Sequence, residues 1–149
     1  MDTLPDVTAT GVDGRPLRLH DLPRPLVIYF YPKDDTPGCT REAQDFSAQA
    51  AAFAHAGVAV LGVSRDTVAK HQKFAAKHDL SVPLASDLDG SVTEAFGVWG
   101  EKQLYGRTYM GIERATFLFD AAGKLVREWR KVKVPGHAEA VLAAATERS

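Results

Sequence analysis

Apolar and polar positions come in blocks along this chain, and the blocks predict its elements. The unbroken run Leu26-Val27-Ile28-Tyr29-Phe30-Tyr31 is rich in β-branched and aromatic residues, which predicts a central strand covered on both faces. A loop of Pro32, Lys33, Asp34 and Asp35 follows. A helix is predicted from Thr36: threonine is a good N-cap, Pro37 suits the first helical position, and Cys39 falls in the first turn. Ala43, Phe46, Ala50 and Phe53 continue the apolar stripe of that helix until Gly57. Val58 to Val63 reads as a second buried strand, and Ser64-Arg65-Asp66 leads into a helix from about Thr67 to His78.

Val82 to Ala85 reads as a short strand and Gly90 to Phe96 as a short helix. Gly97 to Gly111, rich in Gly, Tyr and Trp, reads as a loop with irregular extended pieces. Ala115 to Phe119 and Lys124 to Trp129 predict a hairpin turning at Asp120-Ala121-Ala122-Gly123. An Ala-rich helix closes the chain over His137 to Thr146, and a small hairpin around Asp13-Gly14 opens it. Strand and helix alternate in the first half, which implies parallel pairing, and the late hairpin adds antiparallel strands. The expected class is α/β, a mixed central sheet flanked by helices, compatible with a thioredoxin-like topology.

Composition narrows this only slightly. The 149 residues suit one domain, taken here as 1–149, and 45% hydrophobic with 25% charged residues is ordinary for a folded protein. With 18 Lys and Arg against 19 Asp and Glu, bulk charge gives no reason to bind nucleic acid or anionic membrane. The start, MDTLPDV, lacks the basic and apolar parts of a signal peptide. No apolar run approaches the roughly 20 residues needed to cross a bilayer. A cytoplasmic protein is expected. No metal, flavin, haem or nucleotide motif is present in the sequence, so no cofactor is expected beyond a thiol.

The candidate chemistry rests on one residue, because Cys39 is the only cysteine. An intrachain disulfide and a zinc site built on several thiolates are excluded. A lone cysteine is often a buried, inert small hydrophobe, but its setting here differs. Free backbone N–H groups at a helix N-terminus, with the helix dipole, favour a negative charge, and a thiolate is one. Thr36 is close enough to share the pocket, and its spacing fits a plain N-cap equally well. The absence of a second cysteine removes a Cys-x-x-Cys exchanger, and Gln44, Asp45 and Phe46 are a poor phosphate cradle. A Cys–His hydrolase needs one of His20, His55, His71, His78 or His137 beside the sulfur. Most of these sit on segments that read as polar helix faces, where solvated surface explains them better.

The segment Tyr29-Phe-Tyr-Pro-Lys-Asp-Asp-Thr-Pro-Gly-Cys-Thr-Arg-Glu resembles the active-site segment of peroxiredoxins, most closely the bacterioferritin-comigratory-protein or Q-type subfamily. The family core Pro-x-x-x-Thr-x-x-Cys is matched by Pro32, Thr36 and Cys39. The stretch from Val98 through Arg114 to Asp120 is similar to the subfamily's late active-site region, and the resemblance runs in register over nearly the whole chain. It implies a thioredoxin-like fold and a thiol peroxidase for hydrogen peroxide and alkyl hydroperoxides. Cys39 would attack the O–O bond and become a sulfenic acid. Thr36 would hydrogen-bond thiolate and peroxide, Arg114 would stabilise both, Pro32 would pack over the sulfur, and Glu42 would orient Arg114. Apart from the resemblance, Arg114 reads equally as a surface arginine at a strand end, and Glu42 as a first-turn carboxylate favoured by the dipole.

Free cysteine is roughly 3% thiolate at pH 7, so complete ionisation raises the reactive fraction only about 30-fold. Enzymatic accelerations begin near about a millionfold. The remainder has to come from positioning the peroxide and stabilising charge on its leaving oxygen. The subfamily's usual resolving cysteine, five residues on, is Gln44 here. A one-cysteine mechanism follows, with an external thiol such as thioredoxin, glutaredoxin or a low-molecular-weight thiol. Its sulfenic acid would be prone to over-oxidation. A redox sensor or binding module on the same fold is the alternative. Q-type resemblance implies a monomer. Trp99, Tyr105 and Tyr109 read either as the pocket mouth or as ordinary packing.

Overall fold

The computed structural model describes residues 1–148, so the terminal Ser149 of the expected 1–149 domain lies outside the described residues. Its core strand is the run picked out above: β3, Leu26–Phe30, is buried at every position. Leu26, Ile28 and Phe30 join one apolar cluster, while Val27 and Tyr29 join another with Tyr31, so the two-residue side-chain period loads both faces of the sheet. β3 pairs in parallel with β4 (Ala59–Ser64), and β4 with β5 (Leu84–Ser86). On its other side β3 pairs antiparallel with β8 (Ala115–Phe119), which forms a hairpin with β9 (Leu125–Trp129). The opening hairpin, β1 (Thr8–Gly11) with β2 (Pro16–Arg18), adds to the β5 edge through an antiparallel contact. The result is a seven-stranded mixed sheet ordered β2-β1-β5-β4-β3-β8-β9.

One face carries Phe46 and Ala43 of α1 (Pro37–Ala48), Phe53 of α2 (Ala50–His55), Phe74 of α3 (Val68–Lys77) and Val141 of α5 (His137–Arg148). The opposite face is covered by Val92 of α4 (Ser91–Ala95) with Phe96 and Val98. Tyr29 stacks on Phe46 with ring centroids 4.4 Å apart, fixing α1 over the end of β3.

Three expectations need correction. The single helix from Thr36 to Gly57 is two, broken at Gln49, whose φ of −96° and ψ of 4° leave the helical region. Gly97 to Gly111 is a regular hairpin, β6 (Trp99–Leu104) with β7 (Arg107–Ile112), separate from the main sheet. Its turn residues Tyr105 and Gly106 have φ of 51° and 76°, left-handed at both positions as a twist-matched hairpin turn requires. Both faces of most of this hairpin meet solvent, so no apolar alternation marked it. The histidines are not mainly surface groups: His71 and His137 are buried.

Candidate active site

Cys39 sits in the first turn of α1, directly after the β3 loop, and is 1% exposed. Thr36 is the N-cap by backbone conformation, and Pro37 follows at the first helical position. The Thr36 hydroxyl does not cap the helix. It donates to the Lys33 carbonyl at 2.9 Å, which leaves its oxygen lone pairs free to accept. Arg114, at the entry of β8, reaches across from the other side of the chain. Its Nη2 donates to Cys39 Sγ at 3.4 Å and its Nη1 to Glu42 Oε1 at 2.7 Å. A guanidinium is a rigid fork, so holding one nitrogen on Glu42 aims the other at the sulfur. Gly38 leaves the space: a Cβ there would stand 3.2 Å from Arg114 Nη2.

The expected set therefore divides. Cys39, Arg114 and Glu42 form one bonded unit, Thr36 stands at the N-cap position of the same helix with its hydroxyl turned to Lys33, and Pro32 is half-buried at the start of the loop. Glu42 is almost wholly buried and its Oε2 has no hydrogen-bond partner. Burial pushes its carboxyl up to about 7, a rise the neighbouring Arg114 offsets only in part. Arg114 is itself raised: burial works against its charge, but Glu42 and Cys39 outweigh burial. The Tyr29 hydroxyl, also unpartnered, is raised by burial and then by Glu42 and Cys39.

A cleft of about 510 Å³ opens beside Arg114, lined by Val98, Trp99, Lys102 and Val132 among others. Lys102 donates to the Ile112 carbonyl, and burial, then Arg114, lowers its affinity for its proton. Trp99 lies under the Arg65 guanidinium, 3.4 Å from its ring centre. Tyr105 and Tyr109 do not line the cleft and are exposed, so neither ordinary packing nor the pocket mouth accounts for them. A second, apolar cavity of about 570 Å³ lies toward the other end of β3 and touches none of the five expected site residues.

No histidine hydrogen-bonds Cys39 among the described residues, which removes the hydrolase arrangement. His137 instead lies 2.7 Å from the Thr116 hydroxyl, and burial, then Arg114, lowers its pKa to about 4. His71 belongs to a second buried cluster that the sequence reading missed. Its Nδ1 lies 2.6 Å from Asp34 Oδ2 and its Nε2 3.0 Å from the Ala85 carbonyl. Tyr31 donates to Asp34 Oδ1 at 2.6 Å, and the Asp34 amide donates to Asp66 Oδ2 at 2.8 Å. Ligand atoms of Asp34, Asp66 and His71 fall within 4.8 Å of one another, a spacing that could hold a metal ion. Their close hydrogen bonds to one another and to neighbours already satisfy these atoms as a network. The spacing of Phe74 three residues after His71 on one helix stripe was the available signal that His71 points inward.

A sulfur in a helical first turn, with a cation bonded to it, is arranged to act as a thiolate nucleophile and to have the charge of a leaving oxygen stabilised beside it. This is the chemistry of a thiol-dependent peroxidase. The chain belongs to the AhpC/TSA family, whose pattern matches residues 1–128, and within it to the Bcp or Q-type peroxiredoxins. It is 56% identical over 119 residues to peroxiredoxin Bcp of Xanthomonas campestris pv. campestris, covering 80% of this chain and 74% of that one. Against peroxiredoxin Bcp of Bacillus subtilis it is 48% identical over 134 residues, covering 89% and 85%. A solved structure of the Xanthomonas campestris bacterioferritin comigratory protein, from work on its alkyl peroxide reduction activity, superposes with a TM-score of 0.91 at 48% identity, over 97% of this chain and 91% of that one. The fold is thioredoxin-like, as expected. Solved serine variants of Xanthomonas campestris peroxiredoxin Q alter two different cysteines, so that relative has at least two where this chain has one.

Proposed function

We propose that this peroxidase works with Cys39 alone and takes its electrons from an external thiol. The Cys39 sulfur attacks one peroxide oxygen, the O–O bond breaks, and Cys39–SH with ROOH becomes Cys39–SOH with ROH. An external thiol R′SH then attacks the sulfenic sulfur, giving Cys39–S–SR′ and water. A second R′SH displaces Cys39 as a thiol and leaves R′SSR′. Arg114 steadies the attacking sulfur and the charge growing on oxygen, Glu42 aims Arg114, and Thr36 accepts from the hydroperoxide O–H with the lone pairs its bond to Lys33 leaves free. Pro32 shields the sulfur from bulk water. The substrates are hydrogen peroxide and alkyl hydroperoxides, whose carbon chain the cleft beside Arg114 suits.

The observation that carries this reading is the Arg114 bond to the sulfur of the chain's only cysteine. Gln44, exposed on α1 where many relatives have a resolving cysteine, supports the external thiol, which is thioredoxin, glutaredoxin or a low-molecular-weight thiol. The enzyme is read as a monomeric, cytoplasmic, single-domain protein with no nucleic-acid or membrane partner and no cofactor. No described helix is long and apolar enough to cross a membrane. Stopped-flow mixing of the reduced protein with hydrogen peroxide, followed by Trp99 or Trp129 fluorescence and intact mass, tests it. Oxidation several orders of magnitude faster than a free thiol, lost in Cys39→Ser, is expected. A rate like that of free cysteine would return the site to a sensor or binding role.

A further inference from the structure

The loop between β3 and Cys39 is held by a buried cluster that the peroxide chemistry does not use. Asp34 is gripped from three elements: Tyr31 at the end of β3, His71 on α3, and Asp66 in the turn after β4. Ser64 donates to the same Asp66 oxygen at 2.6 Å, tying the cluster to β4 itself. The Ala85 carbonyl can only accept, so His71 Nε2 carries a hydrogen. The 2.6 Å gap between His71 Nδ1 and Asp34 Oδ2 holds another, whichever atom is its formal owner. His71 is thus bonded at both ends, between the loop and β5. Asp35 adds a second grip from the same helix, with Lys77 at 2.8 Å and His78 at 2.9 Å. Its φ of 60° is left-handed, a conformation aspartate tolerates better than most residues with a side chain, and these two bonds hold it there.

Thr36 and Cys39 come directly after this loop, and Cys39 is 1% exposed. A sulfur this buried admits a bulky external thiol less readily than the smaller peroxide, so attack by the thiol calls for the loop or the first turn of α1 to move aside. We propose that Asp34 and His71 are positioning residues that hold the Pro32–Thr36 loop closed over Cys39, speeding attack on peroxide and slowing access of the external thiol to the sulfenic acid. They thereby set how oxidised Cys39 divides between two fates. Reaction with R′SH gives Cys39–S–SR′ and water; reaction with a second ROOH gives Cys39–SO2H and ROH. The proposal rests on the one-cysteine reading above.

The test compares Asp34→Asn and His71→Asn with the parent enzyme by three rates. These are oxidation of reduced Cys39 by hydrogen peroxide, capture of the sulfenic acid by the coloured thiol thionitrobenzoate, and alkylation of reduced Cys39 by iodoacetamide. Oxidation is expected to fall by about 10- to 100-fold, the scale of an ångström-level misplacement. Capture and alkylation are expected to rise, and more peroxide should be needed to reach half inactivation during turnover. Tyr31→Phe, which removes one donor to Asp34 and conserves shape, should move all three rates the same way by less. It keeps the question answerable if His71→Asn does not fold. Oxidation and capture falling together, or neither moving in any folded variant, would overturn the proposal. Alkylation needs no peroxide, so loss of peroxidase activity in the parent enzyme would sink the functional reading while leaving the loop clamp separately measurable.

Discussion

Two buried carboxylates flank the start of α1, and they are treated differently. Glu42 has one oxygen on Arg114 and the other without a partner, and the arginine it holds bonds the sulfur. Asp34 has both oxygens and its amide engaged, and nothing it touches bonds the sulfur. A fully satisfied buried network fixes shape, whereas a buried carboxyl left short of bonds is pushed toward its neutral form and leans on its one partner. The first arrangement gives Cys39 its cation; the second gives the loop before it its form.

The comparison can be broken by substitution. His71→Phe leaves the Asp34 carboxyl buried without the ring that bonds it at 2.6 Å, and should lower stability by about 3–5 kcal/mol in urea unfolding, the range for removing one member of a buried bonded pair. A loss under about 1 kcal/mol would mean that water takes the place of the ring. Arg114→Met should slow peroxide oxidation by about 10²–10³, the range for removing one preorganised donor, with a smaller loss from Asp34→Asn. Equal losses in stopped flow would erase the distinction between charge and shape.

Acidity sharpens it further. The carboxyl of Glu42 rises in the folded state from its ordinary 4.5 to about 7. The stability it contributes is therefore complete below pH 4.5 and lost as pH climbs through about 7. Glu42→Gln, which cannot ionise, should gain on the parent enzyme over that window by on the order of 2–3 kcal/mol. Urea midpoints at pH 4.5 and pH 8 measure this, and a constant difference would show Glu42 ionised throughout. His137, lowered by burial from 6.5 to about 4, acts the opposite way: its contribution is present above 6.5 and is lost as pH falls toward 4. Tyr31→Phe gives the smallest change, about 0.5–1.5 kcal/mol for one hydrogen bond.

What could be read from sequence was local. The β3 run, the N-cap at Thr36 and the placement of Cys39 in the first turn are encoded within a dozen neighbouring residues, and all three appear in the structure. Arg114 and Glu42 lie 72 residues apart, and only the resemblance paired them. Asp34 and His71 are separated by 37 residues, and His71 stands between Lys70 and Gln72, whose polarity hides its inward face. β6 and β7 escaped because a hairpin wet on both sides buries no apolar stripe, and its turn uses Tyr105-Gly106 where Asn-Gly would have signalled it. The Thr36 hydroxyl was expected on the sulfur, and its donation to Lys33 depends on loop shape that spacing does not specify.

The lone cysteine has a consequence best stated in electrons. Reducing one peroxide takes two of them, and a protein with a single thiol lends its pair and cannot recover it from within. Each turnover on the one-cysteine reading draws two thiols from the surroundings and returns one disulfide. The flux through Cys39 is then governed by how fast thiols arrive as much as by how much peroxide does. When the thiol supply falters, the next electrons come from the sulfenic sulfur itself, and the enzyme is consumed as its own reductant.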